Sequence, residues 1–514
     1  MNDPVVIVSA ARTPMGGFQG DLKDFTASQL GAAAIRAAVE RAGIAPTQVE
    51  EVIMGCVLPA GQGQAPARQA ALGAGLPLDA GCTTVNKMCG SGMKALMFAH
   101  DLILAGSNQV MVAGGMESMT NAPYLLPKAR AGMRMGHGMV YDHMFLDGLE
   151  DAYEKGRLMG TFAEECADSY GFTRAAQDQF AITSLARALE ANQSGAFAWE
   201  TVPVAVQAGK EQKSIALDEQ PFKARPDKIP TLKPAFRKDG GTVTAANSSS
   251  ISDGAAALVL MKRSQAEALG LAPLAQIVAH STHAQKPSLF TTAPVGAIAK
   301  VYAKTGWTTA SVDLFEINEA FAAVGIASMN ELGISDEIVN VNGGAIALGH
   351  PIGMSGNRLA LTLLYELRRR GGVHVLLVLG RQLEQLPDLV VQVGHLGEVL
   401  RLEVVRPDHL DLALHELRML FLHGDAARHL VAAGVVCGTA DLGRGDQLHH
   451  ARHGLCRKHR AGGIVDAARD VAVCVDGDGC QLCPDLLDDA LHASSYYLTN
   501  TAIATFVSAK MPTA

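Results

Sequence analysis

Little in this 514-residue chain points to nucleic acid, membrane or secretion. Lysine plus arginine number 43 against 51 aspartate plus glutamate, giving a net charge of −8 and no basic footprint for a phosphate backbone or an anionic lipid surface. No stretch reaches the roughly 18 consecutive apolar residues that a membrane helix requires. The opening "MNDPVVIVSAARTP" has no basic n-region and only a short apolar run, so it reads as a first buried strand rather than a signal peptide. The expected address is therefore the cytoplasm. Aromatic residues are scarce at 5%, and charged residues make up 18%. What is abundant is small and apolar: 48% hydrophobic residues and 53 glycines, in a chain long enough for several buried cores. The nine cysteines are odd in number, which argues for thiols rather than a disulfide framework. Cys56, Cys82, Cys89 and Cys166 lie early, five more lie beyond residue 430, and none lies between 166 and 437.

Residues 1–120 alternate short apolar strands with helical patterns. Val5–Ser9, "EVIMGCV" and Asn108–Gly114 are strand candidates. "TASQLGAAAIRAAVERAG" has helical spacing, a Thr at its start and Gly43 as a stop. Such alternation implies βαβ units and a mostly parallel sheet. Residues 121–245 change character, with a Met-, Gly- and Pro-rich run and then four prolines in "DEQPFKARPDKIPTLKPAFRKDGGTVT". A long irregular insertion in a compact fold is usually functional, so it is expected to cover a site. From 246 to 372 the alternation resumes, with helices expected over "DGAAALVLMKRSQAEALG" and Ser355–Arg370, and strands near Ala275–Val278 and Asp313–Ile317. Two α/β stretches flanking an insertion suggest a duplication.

Four motifs carry chemistry. "NKMCGSGMKALMFAHDLILAG" sets Cys89 just before a helix, where backbone N–H groups and the positive dipole end favour a thiolate. "NVNGGAIALGHPIGMSGNRLAL" sets His350 in a glycine-rich turn that also leads into a helix. Each alone reads more readily as structural; together they form a candidate nucleophile–base pair. "FEINEAFAA" places Asn318 and Glu319 at the carboxyl end of a strand, where open α/β sheets hold ligands. "TAANSSSISDGAAA" is a small-residue loop, expected before a helix and suited to lying against a ligand.

"GQGQAPARQAAL", "NKMCGSGMKA", "GGMESMT", "NSSSISDGAAA", "NEAFAA" and "NGGAIALGHPIGMSG", in this order, resemble the signatures of the thiolase family, and within it the short-chain acetyl-CoA acetyltransferases. The resemblance runs from about Pro4 to Gly372. It implies an α/β fold of two similar five-layered α-β-α-β-α halves with an inserted loop domain that binds coenzyme A: residues 1–120, 246–372 (incomplete) and 121–245 respectively. Cys89 matches the acyl-accepting nucleophile, and His350 the histidine that activates it and helps form an oxyanion hole. Asn318 matches the residue that holds a water in that hole. Ser249 matches a serine contacting coenzyme A, Met159 a methionine near the acyl pocket, and Phe321 lies in the "NEAFAA" motif beside the substrate. Leu158 departs from the histidine often found there. The implied reaction is a reversible condensation of two acetyl-CoA to acetoacetyl-CoA through an acetyl thioester, with no metal or other resident cofactor, in a homotetramer that could use the loop near 125–145 as a contact. A β-ketoacyl synthase-like enzyme shares the Cys-plus-His logic, and a catalytically impaired acyl-CoA binder is the non-enzymatic alternative.

One element of the pattern is missing. The resemblance calls for a second cysteine as carbon base, in a Cys-x-Gly motif about 30 residues past the histidine, and that count lands on Gly380. Residues 373–514 hold eleven of the seventeen histidines and ten arginines but only Lys458 and Lys510. Out-of-frame translation of GC-rich DNA gives such a composition. A genuine extra domain, or a metal module built on His449, His453, Cys456, His459, Cys480 and Cys483, are the other readings of this tail.

Overall fold

The computed structural model describes residues 3–370 and, beyond them, the strand segments 375–378, 393–396, 399–402, 475–476 and 479–480. The chain divides into 1–385 and 386–514, and in the second unit the described residues form two short hairpins. The tail readings, and Gly380 itself, fall outside the described residues.

The first unit is organised on a seven-stranded sheet. Its main strands are β1 (Val5–Arg12), β2 (Glu51–Gly55), β3 (Gly81–Val85), β4 (Val110–Ser118), β5 (Ser252–Lys262) and β6 (Ala275–Gln276), in the spatial order β6–β1–β5–β4–β2–β3. Gly16–Gly17 adds a short seventh strand against the start of β5. β2 runs parallel to both β3 and β4, whereas β5 is antiparallel to β1 and to β4. The sheet is thus mixed, where alternating elements alone suggest a mostly parallel one.

Strand β5 corrects the sequence reading most plainly. "DGAAALVLMKRSQAEALG" has the look of one helix, but Ser252–Lys262 is a strand and only Arg263–Ala268 is helical. An apolar run buried on both faces has no period-two alternation, so its pattern does not distinguish strand from helix. Two flanking strands supply hydrogen-bond partners along its length and decide the matter. β3 has a related problem: it is short, at the sheet edge and only partly buried, and it carries no strong signal in the sequence.

Helices cover both faces. Helix α1 (Ala27–Ala42) forms as its spacing indicates: Thr26 and Gln29 make a reciprocal capping box, and Gly43 ends it at φ 70°. Its Ala- and Leu-rich face packs on Val6, Val52, Met54, Val112, Ala257 and Val259. On the opposite face, α2 (Ser91–Ala105) and α3 (Ser355–Arg370) pack against each other and on Ile7, Ile53, Met111, Leu258 and Leu260. Alternate residues of β1, β2 and β5 therefore feed different cores. Arg12 is wholly buried and paired with Glu200 and Asp218, which ties β1 to the inserted segment.

A second, smaller core surrounds Ile298, Val312, Phe315, Ile317, Ile334 and Val339. It contains β7 (Leu314–Ile317), buried throughout and paired in parallel with β8 (Val375–Val378). Among the described residues this second sheet has two strands. Residues 121–245 hold the helices Met159–Tyr170 and Arg174–Ser194, a short third helix Glu219–Lys223, two antiparallel strand pairs and several short turns.

Candidate functional site

Helices α2 and α3 lie side by side, and each begins at one of the motif loops. This is how the fold brings together two motifs separated by about 260 residues of sequence.

Cys89 sits in the hairpin-tight passage from β3 into α2. Met88 adopts φ 51°, the left-handed region that a side-chain-bearing residue enters at a cost of about 1–3 kcal/mol. The turn is held by several bonds at once. Ser91 N–H donates to Met88 O at 2.9 Å, Ser91 Oγ donates to the same carbonyl at 2.6 Å, and Ser91 Oγ accepts from Lys87 N–H at 2.8 Å. Asn86 Oδ1 accepts from Met88 N–H at 2.9 Å. The result is a partly exposed thiol one residue before the helix N-cap, Gly90. Cys89 packs against Val57, Leu58, Met119, Met144 and Ile352, the last only two residues beyond His350.

The His350 loop is fixed from several sides. Its N–H donates to Ser252 Oγ at 3.1 Å. The ring Nδ1 lies 2.6 Å from Ser355 Oγ. Ser355 spends its only hydroxyl hydrogen on Pro351 O at 3.0 Å, so toward His350 it accepts, and Nδ1 carries the proton. The neutral ring then presents a bare Nε2, and Asn318 Nδ2 stands 3.4 Å from it as donor. A histidine 5% exposed with this tautomer fixed is equipped to take a proton at Nε2.

Glu117, from "GGMESMT", joins the two loops. Its carboxylate accepts from Gly353 N–H at 2.8 Å, from Val57 N–H at 2.9 Å and from Leu58 N–H at 3.0 Å. Burial pushes its carboxyl up to about 7, against the pull of those three donors. Close packing does the rest: a Cβ on Gly92 would collide with Asn357 Oδ1 and lie 3.0 Å from Gly353 O.

The third motif is built similarly. Glu319 accepts from Ser184 Oγ at 2.7 Å, Asn340 Nδ2 at 2.8 Å and Ile346 N–H at 3.2 Å, and its burial raises its carboxyl above the ordinary range. Asn340 also bonds both backbone groups of Ile317 at 2.8 Å. Asn318 is thereby anchored through its neighbours, while its own Oδ1 is buried without a protein partner. Ser249 N–H donates to Ala320 O at 3.0 Å, and Phe321 and Met159 share an apolar cluster with Phe162, Val243 and Phe290. The loop 249–252 therefore touches the His350 loop on one side and the Asn318 loop on the other.

Sequence reasoning passed over Glu117, Ser355 and Asn340 as positioning residues. All three lie in or next to quoted motifs, but nothing in a motif tells which polar side chain faces inward.

A thiol at a helix start, packed on Ile352 of the loop that carries a histidine of fixed tautomer and its asparagine partner, is the equipment of acyl transfer. Comparison with known proteins agrees. The model of the thiolase N-terminal domain matches residues 5–264, and that of the thiolase C-terminal domain matches 271–382. The chain belongs to the thiolase family. It is 52% identical over 370 residues to acetyl-CoA acetyltransferase 2 of Arabidopsis thaliana, covering 72% of this chain and 92% of that one. Acetyl-CoA acetyltransferases of Cupriavidus necator (49% over 369 residues; 71% and 93%) and Schizosaccharomyces pombe (48% over 372; 72% and 94%) are similarly close. Nearly the whole of each such thiolase is thus matched by little more than seven-tenths of this chain.

Proposed function

We propose that this thiolase is an acetyl-CoA acetyltransferase that carries the acetyl group on Cys89. The observation that carries the reading is the arrangement of Asn318, His350 and Ser355 at the end of the fold where Cys89's helix begins. In the first half-reaction His350 Nε2 takes the thiol proton, and the sulfur attacks the thioester carbonyl of acetyl-CoA. The carbon–sulfur bond to coenzyme A breaks, and the imidazolium returns the proton to the departing thiolate. Backbone N–H groups at the start of α2 face the oxygen that becomes negative, each such donor typically being worth about 3–4 kcal/mol in the transition state. Asn318, through the water that the resemblance assigns to it, serves a second thioester oxygen, and His350 Nε2 joins it only while it carries the proton. Ser249, Met159 and Phe321 line the approach of the acyl and pantetheine parts, with the segment 121–245 over the coenzyme. Thioester exchange changes no oxidation state, so coenzyme A enters as substrate and leaves as product.

In the second half-reaction a methyl proton of another acetyl-CoA must be removed, and the carbanion attacks the acetyl-enzyme to release acetoacetyl-CoA and the Cys89 thiolate. The cysteine that the family uses for that proton has no counterpart at Gly380. A positioned acid–base group typically contributes about 10²–10⁴-fold. The chain as written should therefore acylate Cys89 normally and condense about 10²–10⁴ times more slowly than a complete thiolase. We read residues 373–514 as the product of a shifted frame, which sequencing the DNA around codons 365–385 would decide.

Mass spectrometry of Cys89 peptides after incubation with acetyl-CoA, followed by an acetoacetyl-CoA assay, tests both halves. Absence of the adduct would overturn the role of Cys89, and full condensation activity would overturn the account of Gly380. Preference for a malonyl thioester would favour the synthase reading instead. No described helix is long and apolar enough to cross a membrane. Met135, 95% exposed, and the exposed Tyr124, Met139 and Val140 are the support for a homotetramer contact through the loop near 125–145.

A further inference from the structure

The far end of α2 from Cys89 carries a group that the acyl-transfer chemistry does not use. His100 and Asp101, in the last turns of that helix, meet His280 from the segment following β6. His280 Nε2 lies 3.2 Å from His100 Nδ1 and 2.8 Å from Asp101 Oδ1, and His100 Nδ1 lies 3.0 Å from the same oxygen. The two rings stand 5.0 Å apart at 89°. Among the described residues this is the one set of three His, Cys, Asp or Glu donor atoms that all come within 4.8 Å of one another.

Protons satisfy this triangle in one arrangement, with a hydrogen on each ring nitrogen. With a hydrogen on His280 Nε2 alone, the lone pair of His100 Nδ1 faces the carboxylate oxygen at 3.0 Å. With a hydrogen on His100 Nδ1 alone, the lone pair of His280 Nε2 faces that oxygen at 2.8 Å. With a hydrogen on each, both N–H groups donate to Asp101 Oδ1 at 3.0 and 2.8 Å, and the two nitrogens stand 3.2 Å apart. A protonated carboxyl leaves the two bare nitrogens opposed. The three atoms thus converge on one small space that either two N–H hydrogens or a single cation can fill, and a cation attracts all three together.

We propose that His100 Nδ1, His280 Nε2 and Asp101 Oδ1 form a binding site for a divalent transition-metal ion, zinc in the first instance. Zinc–nitrogen and zinc–oxygen bonds of about 2.0–2.2 Å place two ligands about 3.3–3.6 Å apart in a tetrahedron and about 2.8–3.1 Å apart at right angles. The observed separations of 2.8–3.2 Å already suit ligands near right angles, and a tetrahedron needs the shortest edge to open by roughly half an ångström or more. Two imidazoles and one carboxylate are a borderline donor set that suits zinc, iron, cobalt or nickel over calcium or magnesium. Asp101 is half-exposed, so remaining positions go to water. His280 itself sits on a braced segment: Lys304 Nζ donates to His280 O at 2.8 Å, and Ser281 Oγ donates to Ala297 O at 2.8 Å. A bound ion would therefore clip the end of α2 to the segment leading into the second core. This role is structural and lies apart from acyl transfer.

The test is zinc binding by equilibrium dialysis, and visible spectroscopy with cobalt, on the full chain and on His280→Ala and Asp101→Asn. The comparison with variants matters because the histidines and cysteines after residue 430 could bind metal too. The expected result is one fewer equivalent of zinc in His280→Ala, loss of a cobalt spectrum that lacks thiolate charge-transfer bands, and affinity in Asp101→Asn weakened beyond about 100-fold, the upper effect of an outer-shell group. Zinc should also raise the melting temperature of the parent and not of His280→Ala. Equal stoichiometry and affinity in parent and variants, or no saturable binding at micromolar zinc, would overturn the proposal. Unchanged Cys89 acetylation in both variants would verify that they are folded.

Discussion

Replacing Ser355 by alanine isolates the part of the site that sets the proton of His350. Ser355 Oγ accepts from Nδ1 at 2.6 Å and donates to Pro351 O at 3.0 Å, in a place 2% exposed. The substitution leaves a buried N–H without an acceptor, a cost of about 1–3 kcal/mol. In the active site that cost falls on the productive tautomer alone, because the alternative form with hydrogen on Nε2 no longer opposes a fixed acceptor at Nδ1. A loss of about 1.4–2.8 kcal/mol in that preference corresponds to a rate reduction of about 10–100-fold. The assay is single-turnover acetylation of Cys89 by acetyl-CoA, quenched and followed by mass, across pH 6–9. Ser355→Ala should acylate about 10–100-fold more slowly and show a shifted pH profile, while Ser355→Thr, which keeps the acceptor, should recover much of the rate. Parent-like rates and pH profile in Ser355→Ala would refute the tautomer argument.

Three further outcomes follow from the same geometry. Glu117→Gln replaces one of two accepting oxygens by an amide NH₂, which then faces either Leu58 N–H or the pair Val57 N–H and Gly353 N–H, so thermal and denaturant melts should show a loss of about 1–3 kcal/mol, with slower Cys89 acetylation as the His350 loop loosens. Gly92→Ala forces Asn357 and Gly353 away from the start of α2, and acetylation should fall more sharply than melting temperature. Burial holds Asp253 at about 6, so between its unfolded value of 3.8 and 6 the folded chain keeps a proton that the unfolded chain has released. Its contribution is present below that window and is lost as pH rises through it, by up to about 3 kcal/mol; urea unfolding at pH 4.5 and 6.5 should show Asp253→Asn less sensitive to this rise than the parent.

Much of the site was legible because its chemistry is local. A thiol before glycines and a helix, and a histidine between Gly349 and Pro351, announce themselves over a few residues. Helices α1 and α3 were legible for a similar reason, since caps and amphipathic spacing act within the segment that carries them. β5 was not: its eleven residues are buried on both faces, and only the neighbouring strands distinguish an extended apolar run from a helical one. The edge strand β3 was missed because partial burial leaves no clean alternation.

By itself the sequence singled out the residues of the candidate site, Cys89, His350 and Asn318, and it carries glycine at 380. It also determined the α/β class, since alternating strand and helix patterns are written into each segment's own spacing. Only the tertiary structure decided the mixed order of the sheet, the tautomer of His350, the bridging place of Glu117 and the meeting of His100, Asp101 and His280. The physical reason is range. A cap or a period is set by residues a few positions apart, whereas these four features depend on contacts between side chains 60 to 240 positions apart or on partners that only a packed interior brings to one point.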